Sequence, residues 1–303
     1  MNWTAVGPDT YLLGESPFWH PHEQTLYWVD IPGKKILRAN VYMGSVQTWD
    51  MPSEPGCIAP MVGGGLVVAM RHGVFRAPEW GGELIPLVTL PYDTAGVRAN
   101  DGKCDALGRF WVGTIDEPKA GRAAALFSID CRQGSPMVTC HAQDALTSNG
   151  LAWGLDGRTL YWADTPDHTV YAWDYDLQAN VASQRRVFKK FERRKDDWTY
   201  QDTSYQGRPD GAAVDAQGNY YVAMFEGRRI CKFAPDGSLL AEITTPAQCP
   251  TMLCFGGEDL KTLYVTTARY KRGAPELADF PQSGAVFSTR VDVPGLPVNF
   301  FVG

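Results

Sequence analysis

The chain has 303 residues, 44% hydrophobic and 20% charged, which is a globular rather than a disordered composition. A formal net charge of −6, with one interrupted basic run at residues 189–195, argues against nucleic acid or an anionic membrane as partner. No apolar run reaches membrane-spanning length and residues 1–10 carry no signal-peptide pattern, so a cytoplasmic protein with its seven cysteines reduced is expected.

Aromatic and β-branched runs alternate with Gly, Asp, Asn and Pro turns from end to end, the habit of an all-β protein with many short strands. The runs recur in chain order as one repeated unit. The first copy is Gly14-Glu-Ser-Pro-Phe-Trp19, then Thr25-Leu-Tyr-Trp-Val-Asp30, then Lys35-Ile-Leu-Arg38. A weaker second copy starts near Ile58. The third runs from Arg98 to Thr114 and resumes at Ala124. The fourth is the clearest: Ser148-Asn-Gly-Leu-Ala-Trp153, a turn at Asp156-Gly157, Thr159-Leu-Tyr-Trp-Ala-Asp164, then His168 to Asp174. The fifth starts at Arg208-Pro-Asp-Gly211 and the sixth near Thr251.

Equivalent starts fall near residues 15, 58, 100, 149, 210 and 251, mostly at the ~40–50-residue spacing of four-stranded blades. A β-sandwich does not repeat such a unit six times. The expectation is an all-β, six-bladed β-propeller with four-stranded blades around a central channel, one domain over residues 1–303. Either residues 1–10 or residues 298–302 supply the strand that closes the ring.

The first strand of each blade starts at one face of the ring, and its hairpin turn lies at the other. Asp105-Ala-Leu-Gly108, Asp156-Gly157 and Asp215-Ala-Gln-Gly218 therefore read as tight turns, and none completes a calcium-loop pattern. Glu15, Asn100, Asn149 and Asp210 should ring one mouth, surrounded by loops 115–123, 164–168, 225–228 and 268–283. Singly, each polar residue could cap its own turn. At matching repeat positions, two carboxylates and two amides converge as a hard-cation cage. The five histidines show no metal spacing, and no G-x-S-x-G elbow occurs.

Leu13-Gly-Glu-Ser-Pro-Phe-Trp19, Arg98-Ala-Asn-Asp-Gly-Lys103, Ser148-Asn-Gly-Leu-Ala-Trp153 and Arg208-Pro-Asp-Gly211 resemble the motifs of the SMP-30/gluconolactonase/luciferin-regenerating family, in order and across the whole chain. The resemblance implies one divalent metal ion (Ca²⁺, Zn²⁺, Mn²⁺ or Mg²⁺) held by Glu15, Asn149 and Asp210. It implies substrate contacts from Arg98 and Asn100. A substrate-contacting Glu of some members maps to Glu117, with Asp116 the alternative, in Gly113-Thr-Ile-Asp-Glu-Pro118. The activity implied is metal-dependent hydrolysis of a sugar (aldono)lactone to the aldonic acid, the metal polarising the carbonyl and Asp210 assisting water as general base. Two other readings are an organophosphate or aryl-ester hydrolase on the same metal site and a non-catalytic calcium-binding propeller. The electropositive Arg98 counts against the latter. The long connection at residues 188–207, with Trp198, Tyr200 and Tyr205, is expected to wall the substrate pocket.

Overall fold

Six antiparallel sheets of four strands each make up the computed structural model, which describes residues 1–303. The first strands of the blades are Gly14–His20, Pro55–Pro60, Val97–Cys104, Ser148–Trp153, Arg208–Val214 and Pro250–Gly256. Each packs against the first strands of both neighbouring blades, so the six close a ring around the channel. The sheets are thus the blades of a six-bladed β-propeller.

Strand alternation puts side chains on both faces of every blade, and both faces are covered. Six large apolar clusters result, one between each pair of neighbouring blades. Trp28, Trp111 and Trp162 sit at matching points of the second strands in blades 1, 3 and 4 and are fully buried. Burying such a ring stabilises by about 2–3 kcal/mol, so the repeated aromatic strand is what holds blade to blade. All seven cysteines are free thiols and five are buried, packing as small hydrophobes.

The ring is closed by the N-terminus. Thr4–Ala5 is the outermost strand of the sixth blade, with Thr4 opposite Ser288 and Ala5 opposite Phe287. The C-terminal segment, the other option, crosses the opposite mouth instead. There Phe301 N–H donates to Pro60 O (2.8 Å), Val302 N–H to Gly108 O (3.0 Å), and the Phe301 ring is fully buried. Residues 296–299 cover an apolar cavity of about 140 Å³ at that end of the channel. The turns at Asp105, Asp156 and Asp215 are closed by their own carboxylates, which accept N–H groups two to four residues on.

The register explains how the mouth is built. Pairing of first and second strands slips between Glu15 and Phe18, Ala99 and Gly102, Asn149 and Ala152, and Pro209 and Ala212. Blades 2 and 6 slip at the matching places, Pro55 to Cys57 and Pro250 to Met252. A bulge breaks the alternation and re-aims one side chain. In blades 3 and 5 the skipped residues include Asn100 and Asp210, and in blades 1 and 4 the slip follows directly after Glu15 and Asn149. In the other two blades the skipped residue is Gly56 or Thr251. Gly150 bears the backbone consequence, with φ +65°. A Cβ there would lie 2.7 Å from Tyr220 Oη and 3.0 Å from Ala163 Cβ, so only glycine fits.

Candidate active site

The six residues singled out above, Glu15, Arg98, Asn100, Glu117, Asn149 and Asp210, all line one cavity of about 340 Å³. Its rim comes from the loops expected there: Ile115, Glu117 and Lys119, then Thr165, Phe225, and Tyr270 to Arg272.

The wall has two tiers. Glu15, Asn100, Asn149 and Asp210 form the inner one, at the bulges. Two residues earlier on each strand lies an outer tier of Leu13, Glu54, Arg98, Thr147 and Arg208. Residues i and i−2 of a strand share a face, so the second tier follows from the first. Arg208 and Glu54 were not anticipated, yet the signal is present: Arg208 precedes Asp210 by the spacing at which Arg98 precedes Asn100.

A continuous hydrogen-bond network fixes half of this wall. Arg71 donates through Nε and Nη2 to the Glu54 carboxylate (3.0 and 3.1 Å), and through Nη1 to Glu117 Oε2 (2.9 Å). Glu117 Oε1 accepts from Arg98 Nε (3.3 Å). Arg98 Nη1 donates to Ala99 O (2.8 Å) and Asn100 Oδ1 (3.2 Å), which leaves Nη2 uncommitted. Asn100 Nδ2 donates to Asn149 Oδ1 (2.8 Å), and Asn149 Nδ2 to Thr165 Oγ1 (2.8 Å). Thr165 donates to Pro209 O (2.7 Å), joining the fourth blade to the strand of Asp210. Asp116 is not part of it. Its carboxylate accepts from the backbone of Lys119, Gly121 and Ala123 and shapes the loop that presents Glu117.

Glu15 and Asp210 differ from every other member. Both are buried, 7% and 6% exposed, and neither has an ion pair or a side-chain hydrogen-bond partner. Burial, then the charges of Asp210 and Asp101, pushes the Glu15 carboxyl well above the usual carboxylate range. Burial, then Asp101, does the same for Asp210, with Arg208 and Lys119 opposing. Two buried carboxylates that repel each other, with cations nearby but none in direct contact, form a site whose charge a bound cation would offset. No group of three His, Cys, Asp or Glu side chains is arranged to hold a metal ion. The donors at this mouth are two carboxylates plus the Asn149 amide oxygen, all hard oxygens, which fits a divalent cation.

The connection at residues 188–207 does not wall this cavity. Tyr205 Oη pairs with His168 Nε2 (2.8 Å), Tyr200 donates to Asp279 (2.7 Å), and Trp198 packs edge-on against Tyr205. Arg194 reaches the buried Glu226 (2.9 Å). The aromatics secure the loop to its neighbours outside the mouth, because each finds a closer partner there.

Residues 13–269 match the model of the SMP-30/Gluconolactonase/LRE-like region. The chain belongs to this family. A 6-deoxy-6-sulfogluconolactonase of Pseudomonas putida is 40% identical over 96% of this chain and 96% of its own length. Regucalcin of Gallus gallus is 34% identical over 99% of this chain and 98% of its own. The fold is that of the calcium-binding protein regucalcin from Agrobacterium tumefaciens, with a TM-score of 0.89 at 23% identity, covering 98% of this chain and 96% of that one. Family membership accounts for the convergence: four motifs far apart in sequence are the bulged strand starts of four blades.

Proposed function

We propose that this chain is a lactonase that opens an aldonolactone, the internal ester of a sugar acid, in a reaction dependent on one divalent cation. The observation that carries the reading is the pair of buried, unpaired carboxylates, Glu15 and Asp210, at the floor of a cavity whose wall presents Arg98, Asn100 and Asn149. Membership of the family and the activity named for the Pseudomonas relative support it.

Glu15, Asn149 and Asp210 would hold the cation; their oxygens suit Ca²⁺, Mg²⁺ or Mn²⁺ and tolerate Zn²⁺. When bound, it supplies Lewis acidity to an ester carbonyl, worth several kcal/mol of charge stabilisation. The chain's own residues do the rest. Arg98, held by Glu117 and the Ala99 carbonyl, offers Nη2 to the oxygens of the substrate. It stays cationic although burial lowers its pKa. Thr165 accepts from Asn149 Nδ2 and so orients the amide, whose Oδ1 accepts from Asn100 Nδ2 and keeps a second lone pair for the cation. Asp210 accepts the proton of the attacking water as the C–O bond to that water forms, and the proton passes to the ring oxygen as the ester bond breaks.

The test is a panel of aldonolactones, with an aryl phosphate ester and an aryl acetate alongside, followed by acid release with a pH indicator. Chelation should abolish lactone opening and added cation restore it. Turnover by fully demetallated protein at the native rate would overturn the reading, as would cation binding with no turnover of any lactone.

A further inference from the structure

Cations are distributed unevenly around the cavity. On the side of blades 2 and 3, Arg71 and Arg98 face Glu54 and Glu117, two against two, and every one of them is paired. On the side of blades 5 and 6, Glu226 faces Arg194, Arg208 and Arg272, and Glu276 takes the rest of Arg272. Lys119 and Lys271 lie in the same cavity wall, and neither ammonium makes a hydrogen bond or an ion pair. Arg208 is only partly spent, with one contact to Glu226 at 3.3 Å and its guanidinium over the Phe225 ring.

A solitary exposed lysine is ordinarily just solvated. These two differ because they converge. Lys119 rides on the loop that carries Glu117 in the third blade, Arg208 starts the fifth blade, and Lys271 follows the second strand of the sixth. Lys271 sits at φ +58° with its ammonium over the Tyr270 ring at 5.1 Å. The Lys119 pKa is lowered by desolvation and then by the positive charge of Arg208, with Asp210 and Glu226 opposing and Lys271 adding a smaller lowering, so the three cations share one electrostatic environment. On a chain of net charge −6, a local excess of unpaired cations at a cavity mouth attracts an anion.

We propose that Lys119, Lys271 and Arg208 form a subsite for a tetrahedral oxyanion, a sulfonate or phosphate, carried by the substrate at the end remote from its lactone carbonyl. This rests on the lactonase reading for the identity of the substrate. Its geometry follows from the two tiers: a lactone whose carbonyl sits over Glu15 and Asp210 places its far end at the outer tier, where Arg208 stands two residues above Asp210. Charge-assisted hydrogen bonds from two lysines and a guanidinium would fix that group and set specificity among six-carbon lactones.

The experiment uses 1,5-anhydroglucitol, a ring ether with no ester to open, beside its 6-phosphate and its 6-deoxy-6-sulfonate. Binding is measured by calorimetry on the cation-loaded protein, on Lys119→Gln, on Lys271→Gln and on the double variant. The charged ethers should bind at least about tenfold tighter than the neutral one, and each substitution should lower the charged-to-neutral ratio by about five- to tenfold. Which anion gains more identifies the group the site takes. Equal affinity for charged and neutral ethers, or a ratio unmoved in the folded double variant, would overturn the subsite. Turnover of gluconolactone against its 6-phosphate separates the two readings. Discrimination by the ethers with no lactone opened keeps the subsite and removes the lactonase. Lactone opening with no discrimination does the reverse.

Discussion

Glu15 and Asp210 make the metal-free protein sensitive to pH in a direction opposite to most acidic pairs. Their carboxyls are raised in the folded state, whereas the unfolded chain releases these protons at about pH 4. The folded state therefore binds more protons above that pH, and stability falls as pH rises toward the folded values. Thermal melts of chelated protein should show a midpoint that drops as pH rises above about 4, and Ca²⁺ should remove the slope. Glu54 works the other way: Arg71 lowers it to about 2, so its contribution is present above its ordinary value and lost in strong acid. Asp210→Asn keeps the shape and one oxygen donor but removes the charge and the base. With the cation bound, its kcat should fall by about 10²-fold or more, while cation affinity falls less. Full activity of the loaded variant would refute the role of Asp210. Arg98→Ala should lower kcat/KM by about 10²-fold with a small change in thermal midpoint, because Glu117 keeps Arg71 as partner. A collapse of the midpoint matching the activity loss would make Arg98 structural instead.

The bulged first strand is the element that makes a site out of a repeat. Straight pairing would send these side chains into the blade interfaces, where burying a carboxylate is costly. The slip falls at Asn100 and Asp210 and directly after Glu15 and Asn149, where the four line the channel mouth, at the price of a left-handed residue such as Gly150. Gly150→Ala should cost about 2 kcal/mol or more in urea unfolding, from the positive φ and the clash with Tyr220. It should also weaken cation binding, since Asn149 is its neighbour. Normal stability and affinity in that variant would contradict the account of the bulge. The connection at residues 188–207 belongs to another category. Trp198→Ala should leave the ranking of lactone substrates unchanged, because its ring lies against Tyr205 and outside the cavity. A changed ranking would restore that loop to the pocket wall.

Over the whole molecule, the propeller is held by lateral blade contacts, and Thr4–Ala5 completes the last blade. Three further contacts secure this end: Trp3 Nε1 donates to Thr244 O (2.8 Å), Thr289 Oγ1 to Asn2 O (2.9 Å), and Val6 N–H to Val286 O (2.8 Å). Removing residues 1–7 opens the ring between its first and sixth blades and exposes Val286 and Phe287. That truncation should lower the thermal midpoint markedly and raise protease sensitivity. Phe301→Ala tests the other end. It should cost about 3 kcal/mol or more from a fully buried ring while leaving cation affinity at the far mouth intact.

Local pattern alone determined the repeat, the strand type and the inner tier. Aromatic alternation and turn dipeptides are short-range signals, and polar residues at matching points of Gly14-Glu15, Ala99-Asn100, Ser148-Asn149 and Pro209-Asp210 stand out against an apolar strand. Only the tertiary structure decided which terminus closes the ring, since residues 1–10 and 298–302 both read as short strands. It also decided between Asp116 and Glu117 as neighbours of the cavity, because the Asp116 carboxylate is taken up by the backbone of the following loop while Glu117, on that loop, meets Arg98 and Arg71. The aromatics of residues 188–207 looked like pocket walls because composition says nothing of partners. Their hydrogen bonds to His168 and Asp279 join residues 37 and 79 positions apart. The unpaired cations at the rim were hidden for the same reason. Whether Lys119 and Lys271 stand free depends on where every carboxylate of the molecule lies, and charge balance around a cavity is a property of the folded chain.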